Sequence, residues 1–173
     1  MNSWRKMALL SILVILALFL QGSLLAAILP NALVPNLLVV ILVFISFYEA
    51  SVLGAILAFF LGLLLDLYGA VLLGPWSGAF VATFAFFGLM SRRMFVDSPL
   101  AVAFVSFWSF LLTHFVYLVL VFEVRPVNFG SAWQFIGKAL VTAIVAPLMI
   151  AALKRILVKR ERGSGGRFAS IAN

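Results

Sequence analysis

The chain has 173 residues, 66% of them hydrophobic and 10% charged, with no cysteine and a formal net charge of +7. Soluble domains are about 45–50% apolar, so an ordinary water-soluble fold is excluded, and the missing cysteines exclude disulfides, thiolate metal sites and cysteine nucleophiles. The positive charge does not indicate nucleic acid: Arg5, Lys6, Arg92, Arg93, Lys154, Arg155, Lys159, Arg160, Arg162 and Arg167 stand at the ends of apolar runs or in the tail, with no aromatic-interleaved basic surface.

A mean hydropathy of +1.27 and recurring apolar runs of eighteen or more residues mark an all-α integral membrane protein. An outer-membrane barrel would show alternating segments of about ten residues instead. Met7 to Leu29 forms the first span, interrupted only by Gln21, and Pro30-Asn31 turns the chain. The length of this run, and a Leu25-Ala26-Ala27 sequence without a small residue at the first position of an A-x-A site, argue against a cleaved signal peptide.

Ala32 to Ser91 then offers sixty residues with two charges, Glu49 and Asp66. At about 20 residues per crossing it holds three helices. Parity agrees, because Arg92-Arg93 can share the cytoplasmic side with Arg5-Lys6 only if an odd number of crossings follows the first. Breaks at Tyr48-Glu49 and from Gly69 to Pro75 place these spans near 33–48, 51–68 and 73–90. Pro99 opens a fifth span reaching Phe122, proline being tolerated in a helix's first turn. Phe135 to Leu153 is the sixth, with a kink expected at Pro147.

Residues 1–153 are thus expected to form one domain of six transmembrane helices (about 7–29, 33–48, 51–68, 73–90, 99–122 and 135–153). Both termini are expected inside, since only Arg125 and Lys138 then fall on the outer side. Residues 154–173, basic and then rich in Gly and Ser, are expected to be a disordered cytoplasmic tail. Arg92, Arg93, Lys154 and Arg155 are candidate contacts for anionic lipid.

Lipid tails are as apolar as leucine, so membrane helices associate through small residues and polar contacts. In the third span Ala50, Gly54, Ala58, Gly62 and Asp66 recur every fourth residue as a small-residue ridge ending in a carboxylate. The ridge suits packing within the chain or docking of another membrane protein. Ala139, Ala143, Pro147 and Ala151 repeat the device in the sixth span, and Ser106, Ser109, Thr113 and Tyr117, with His114 at the edge, form a polar wedge on the fifth. Each of those hydroxyls needs a hydrogen-bond partner.

Asp66 is the residue that demands explanation. A carboxylate at bilayer depth costs about 2.5–3.5 kcal/mol unless it is paired or near water, and the C-terminal end of its own helix opposes it. Two kinds of partner are available on the outer side: the backbone amides where the fourth span begins after Gly74-Pro75, or the cations Arg125 and Lys138.

Chemistry is sparse. Pro75-Trp76-Ser77-Gly78 and His114 bear some likeness to an intramembrane serine protease, but Ser77 opens the fourth span while His114 lies about 12 Å deeper by helix rise, beyond the reach a nucleophile and base require. One histidine and five scattered carboxylates offer no paired metal ligands, and no Gly-rich phosphate loop occurs. No cofactor and no enzymatic activity are expected.

Pro35-Asn36-Leu37 opening the second span, the block Phe60-Leu61-Gly62-Leu63-Leu64-Leu65-Asp66 followed by Gly69 and Leu73-Gly74, and Arg92-Arg93 closing the fourth span resemble the bacterial rod shape-determining MreD family. Where the family more often has Asp after that proline, this chain has Asn36. The resemblance implies a non-catalytic inner-membrane scaffold of the cell-elongation machinery. Its implied partners are an MreC-like bitopic protein, MreB filaments, and the peptidoglycan synthase of RodA with a penicillin-binding transpeptidase. Pro35, Asn36, Gly54, Ala58, Gly62, Asp66, Gly69 and Gly74 are the structural or interface candidates. The family is also similar in fold to the six-helix substrate-binding subunits of energy-coupling-factor vitamin transporters, which supplies the alternative function.

Overall fold

The computed structural model describes residues 3–30, 33–69, 72–91, 98–122 and 132–158. All of their regular structure is helical. Six main helices follow one another: α1 (Ser3–Phe19), α2 (Leu37–Tyr48), α3 (Val52–Gly69), α4 (Pro75–Ser91), α5 (Pro99–Val121) and α6 (Ala132–Leu153). The first continues through a π-helical stretch, Leu20–Leu25, into one α-turn, Ala26–Ile28. The last continues as a π-helical turn, Lys154–Val158, so the expected disordered tail begins in helix; 159–173, Arg92, Arg93 and Arg125 lie outside the described residues.

Three stretches, Val52–Gly69, Pro99–Val121 and Gln134–Ile156, are long and apolar enough to cross a membrane, while Ser11–Leu25, Leu37–Tyr48 and Pro75–Ser91 are shorter apolar helices. The shortest of the six main helices is the centre of the fold. Every side chain of α2 from Leu37 to Ser46 is buried, and Leu38 to Leu42 have no exposed surface. The helix packs against each of the other five. Its sequence explains this, because Leu-Leu-Val-Val-Ile-Leu-Val-Phe-Ile has no polar face to turn outward, and a helix apolar all round is stable only when surrounded. At twelve residues it is about 18 Å long, well short of the roughly 30 Å of hydrocarbon in a bilayer.

α2 begins at Leu37, later than 33, because Pro35 lacks an N–H and Asn36 is extended at φ −88°, ψ 90°, with its side chain accepting from Val39 N–H at 3.2 Å. An amide cap does this as well as a carboxylate. The other amides of this buried end find partners on distant elements. Asn36 N–H donates to Thr142 Oγ1 of α6 at 2.9 Å, and Leu37 N–H donates to Gln21 Oε1 in the π stretch at 3.0 Å. Thr142 itself donates to the Lys138 carbonyl at 2.6 Å, so its remaining lone pairs are free to accept. Three elements are thereby tied at one point.

α3 packs most extensively on α4, and α5 on α6. On α6 the buried stripe is Ala139, Thr142, Ala143, Ala146, Ile150 and Leu153, whereas Ala151 is exposed. The ridge of every fourth residue drifts off the contact because four residues overshoot a turn of 3.6, and Ala50, at the head of the expected α3 ridge, is exposed because it lies in the turn before α3 begins at Val52. The polar wedge of α5 does face protein: Ser106, Ser109 and Thr113 have no exposed surface. Thr113 donates to the Ser109 carbonyl at 2.7 Å and accepts from Thr83 of α4 at 3.1 Å. Among the described residues the Ser106 and Ser109 hydroxyls have no hydrogen-bond partner, contrary to the expectation that each would.

Thr142→Val, which keeps shape and removes the acceptor, should strand the Asn36 amide and lower stability by about 1–3 kcal/mol. Thr142→Ser should restore most of it, read as thermal unfolding midpoints of the full chain in detergent.

Candidate functional site

The junction of α3 and α4 is built around Asp66, which is 2% exposed. Gly69 ends α3, and Gly74 turns the chain at φ +117°, a conformation that favours glycine. Pro75 then takes the first helical position, where its missing N–H is no loss.

A helix start leaves its first amides without intrahelical acceptors, and here one carboxylate takes them all. Gly74 N–H donates to Oδ2 at 3.0 Å, Trp76 N–H to Oδ1 at 3.0 Å and Ser77 N–H to Oδ2 at 3.1 Å. Gly78 N–H already bonds the Gly74 carbonyl at 2.8 Å. The Ser77 hydroxyl lies 2.9 Å from Oδ2 and 3.0 Å from the Gly74 carbonyl. It has one proton, and the charged acceptor makes the stronger bond. Placing a carboxylate on the positive end of α4 also offsets the unfavourable field at the end of α3.

Of the two kinds of partner open to Asp66, the amides after Gly74 are therefore the ones in contact. Lys138 forms no ion pair with it, and Arg125 lies outside the described residues.

Gly62 makes this approach geometrically possible. A Cβ there would fall 2.4 Å from Ser77 Cα, 2.5 Å from the Trp76 carbonyl oxygen and 2.6 Å from Ser77 N. These are backbone atoms of α4, unable to swing aside. Gly54 plays the same part at the other end of the contact, where an added Cβ would meet the Glu49 carbonyl and the Phe84 ring. With Ala58 between them, all without room to spare, the small-residue ridge is closed by α4 of the same chain. It therefore offers no face to a second protein, and Gly69, with nothing within 4 Å of an added Cβ, plays no packing role.

Trp76 extends the site to α5. Its ring stacks on Tyr117 at 4.1 Å and meets His114 edge-on at 5.3 Å, while His114 stacks on Phe110 at 4.0 Å and contacts Phe135 of α6 edge-on at 5.6 Å. His114 Nδ1 lies 3.0 Å from the Phe110 carbonyl and so carries the proton. Ser77 and His114 are both occupied by structural partners and make no hydrogen bond to each other. Among the described residues no three His, Asp or Glu side chains gather as a metal site would require. What the arrangement does chemically is to hold a backbone turn.

Ser77, Trp76, Gln21 and Thr142 carry these contacts and were not singled out as structural ties in the sequence. The signals were present: Ser77 is the third residue of a helix opened by Gly-Pro, and Gln21 is the polar interruption of the first apolar run.

A family model described as rod shape-determining protein MreD matches residues 1–156. No curated protein and no solved structure matches the chain.

Asp66→Asn replaces an acceptor by a donor facing N–H groups and should cost about 3 kcal/mol. Gly62→Leu should be at least as damaging because backbone must move, whereas Gly69→Ala should stay within about 1 kcal/mol. Unfolding midpoints of the three variants in detergent decide; an unaffected Gly62→Leu protein would contradict the close α3–α4 approach.

Proposed function

The chain belongs to the MreD family of rod shape-determining proteins, and on that premise we propose that it is a non-catalytic scaffold of the cell-elongation machinery in the bacterial inner membrane. The chain would cross the bilayer six times with both termini in the cytoplasm, the short α2 making its crossing enclosed by the other five helices. An MreC-like bitopic protein is its direct partner, with MreB filaments and the synthase of RodA and a penicillin-binding transpeptidase close by. Arg92, Arg93, Lys154 and Arg155 would meet anionic lipid on the cytoplasmic side.

The observation that carries the scaffold reading is the filled centre. α2 occupies the middle of the bundle with no exposed surface from Leu38 to Leu42, and Asp66, Ser77 and Thr142 are committed to holding helix ends. A vitamin-binding subunit needs the opposite, a cavity lined by polar groups from several helices. The surface left for a partner lies on the outer faces of the bundle. Between α4 and α5 an apolar groove of about 320 Å³ is lined by Phe86, Phe87, Met90, Phe104, Val105, Trp108 and Leu112. Its aromatic walls suit the side chains of a single apolar transmembrane helix, with Trp108 half exposed at 50% as an anchor.

The full chain is expected to co-purify with the MreC-like protein of the same cells and to restore rod shape to cells that lack it. Phe104→Ala with Trp108→Ala should weaken the complex about tenfold or more while leaving the unfolding midpoint nearly unchanged. Tight binding of a small vitamin without any such complex would favour the transporter reading instead.

A further inference from the structure

At the end of the bundle where α2 begins, a cleft of about 260 Å³ opens between α1, α3 and α6, with Gln21, Gly22, Tyr68 and Lys138 among its walls. Its polar groups are arranged to give hydrogen bonds rather than to take them. Gln21 has turned its Oε1 to Leu37 N–H at 3.0 Å, which leaves its amide NH₂ to be satisfied. Lys138 brings three donors and no acceptor, and among the described residues no carboxylate pairs with it. The Tyr68 hydroxyl faces the same cleft. No acidic side chain lines the cleft among the described residues.

Two further features converge on it. The wall formed by Gln21 and Gly22 is π-helical, a geometry that recurs at functional sites, and glycine at 22 makes room for the phenol, since a Cβ there would fall 2.6 Å from the Tyr68 oxygen. The amide end of α2 abuts the same wall through the Gln21 bond and adds positive potential. With a cation and several donors but no carboxylate among its described lining residues, the cleft is suited to an anion.

We propose that the cleft binds the phosphate of an anionic phospholipid. The choice of a lipid over a protein carboxylate follows from what surrounds the mouth. Leu18, Val34 and Leu65 line it with apolar side chains, and Tyr68 is 70% exposed. The occupant therefore needs a phosphate and hydrocarbon in one molecule. Tyrosine at this position matches the headgroup level, where its ring and hydroxyl are both solvated suitably. The site is separate from the basic residues Lys154 and Arg155, which stand at the opposite end of α6. It rests on the membrane location of the chain and is independent of the protein partner.

Native mass spectrometry of the delipidated full chain in detergent tests this, titrating phosphatidylglycerol, phosphatidylcholine or inorganic phosphate. One phosphatidylglycerol should be retained in preference to phosphatidylcholine. Lys138→Met should weaken that adduct about tenfold, the effect of losing one charge-assisted hydrogen bond, and Lys138→Arg should keep most of it. Combined Lys154→Met and Arg155→Met should leave it in place. Should Lys138→Met fail to fold, Tyr68→Phe carries the same test with a few-fold weakening. Wild-type binding by Lys138→Met or Tyr68→Phe, loss of the adduct only on changing Lys154 and Arg155, or equal competition by inorganic phosphate would each overturn the proposal.

Discussion

Asp66 and Gly62 act as one device. The carboxylate satisfies every amide at the start of α4 that helix geometry leaves open, and it reaches them only because the residue one turn earlier has no side chain. Neither half is sufficient. A carboxylate without the close approach would sit buried and unpaired, and a close approach without the carboxylate would bury three amides without acceptors. From this junction the order of the fold follows: α4 is fixed against α3, Trp76 is held where it stacks on Tyr117 of α5, and His114 carries the contact on to Phe135 of α6.

The second constraint is the tethering of α2. A helix this apolar needs company on all sides, yet its polar backbone ends must still be satisfied within the bundle. Asn36, Thr142 and Gln21 do this at the amino end. At the carboxyl end Glu49 N–H bonds the Ile45 carbonyl at 2.8 Å, and Ser51 then caps α3 by accepting from Gly54 N–H at 3.3 Å. Asp66, Asn36, Gln21 and Thr142 serve helix ends, while Thr83 and Thr113 join α4 to α5 in mid-helix.

Much of this was legible from residues alone. Apolar run length located six helices, Gly74-Pro75 marked a helix start, and Asp66 stood out as a group in need of partners. The ridge of Gly54, Ala58 and Gly62 was equally visible, but its occupant was not. A small-residue face says that some backbone comes close, and any helix with a compatible face meets that requirement. The burial of α2 was hinted at by its uniform apolarity, although uniform apolarity also describes a helix facing lipid, so its central position could not be read from composition.

The sequence by itself determined the class of protein, its helical content, the family resemblance and the polar groups that had to be accommodated, because these depend on run length, residue chemistry and short-range turn geometry. Only the tertiary structure decided that α4 of the same chain fills the α3 ridge, that Asp66 is held by amides and not by Lys138, and that α2 is the centre. Those outcomes rest on contacts between residues far apart in the chain, such as Asn36 with Thr142, and local spacing carries no information about which distant partner will arrive.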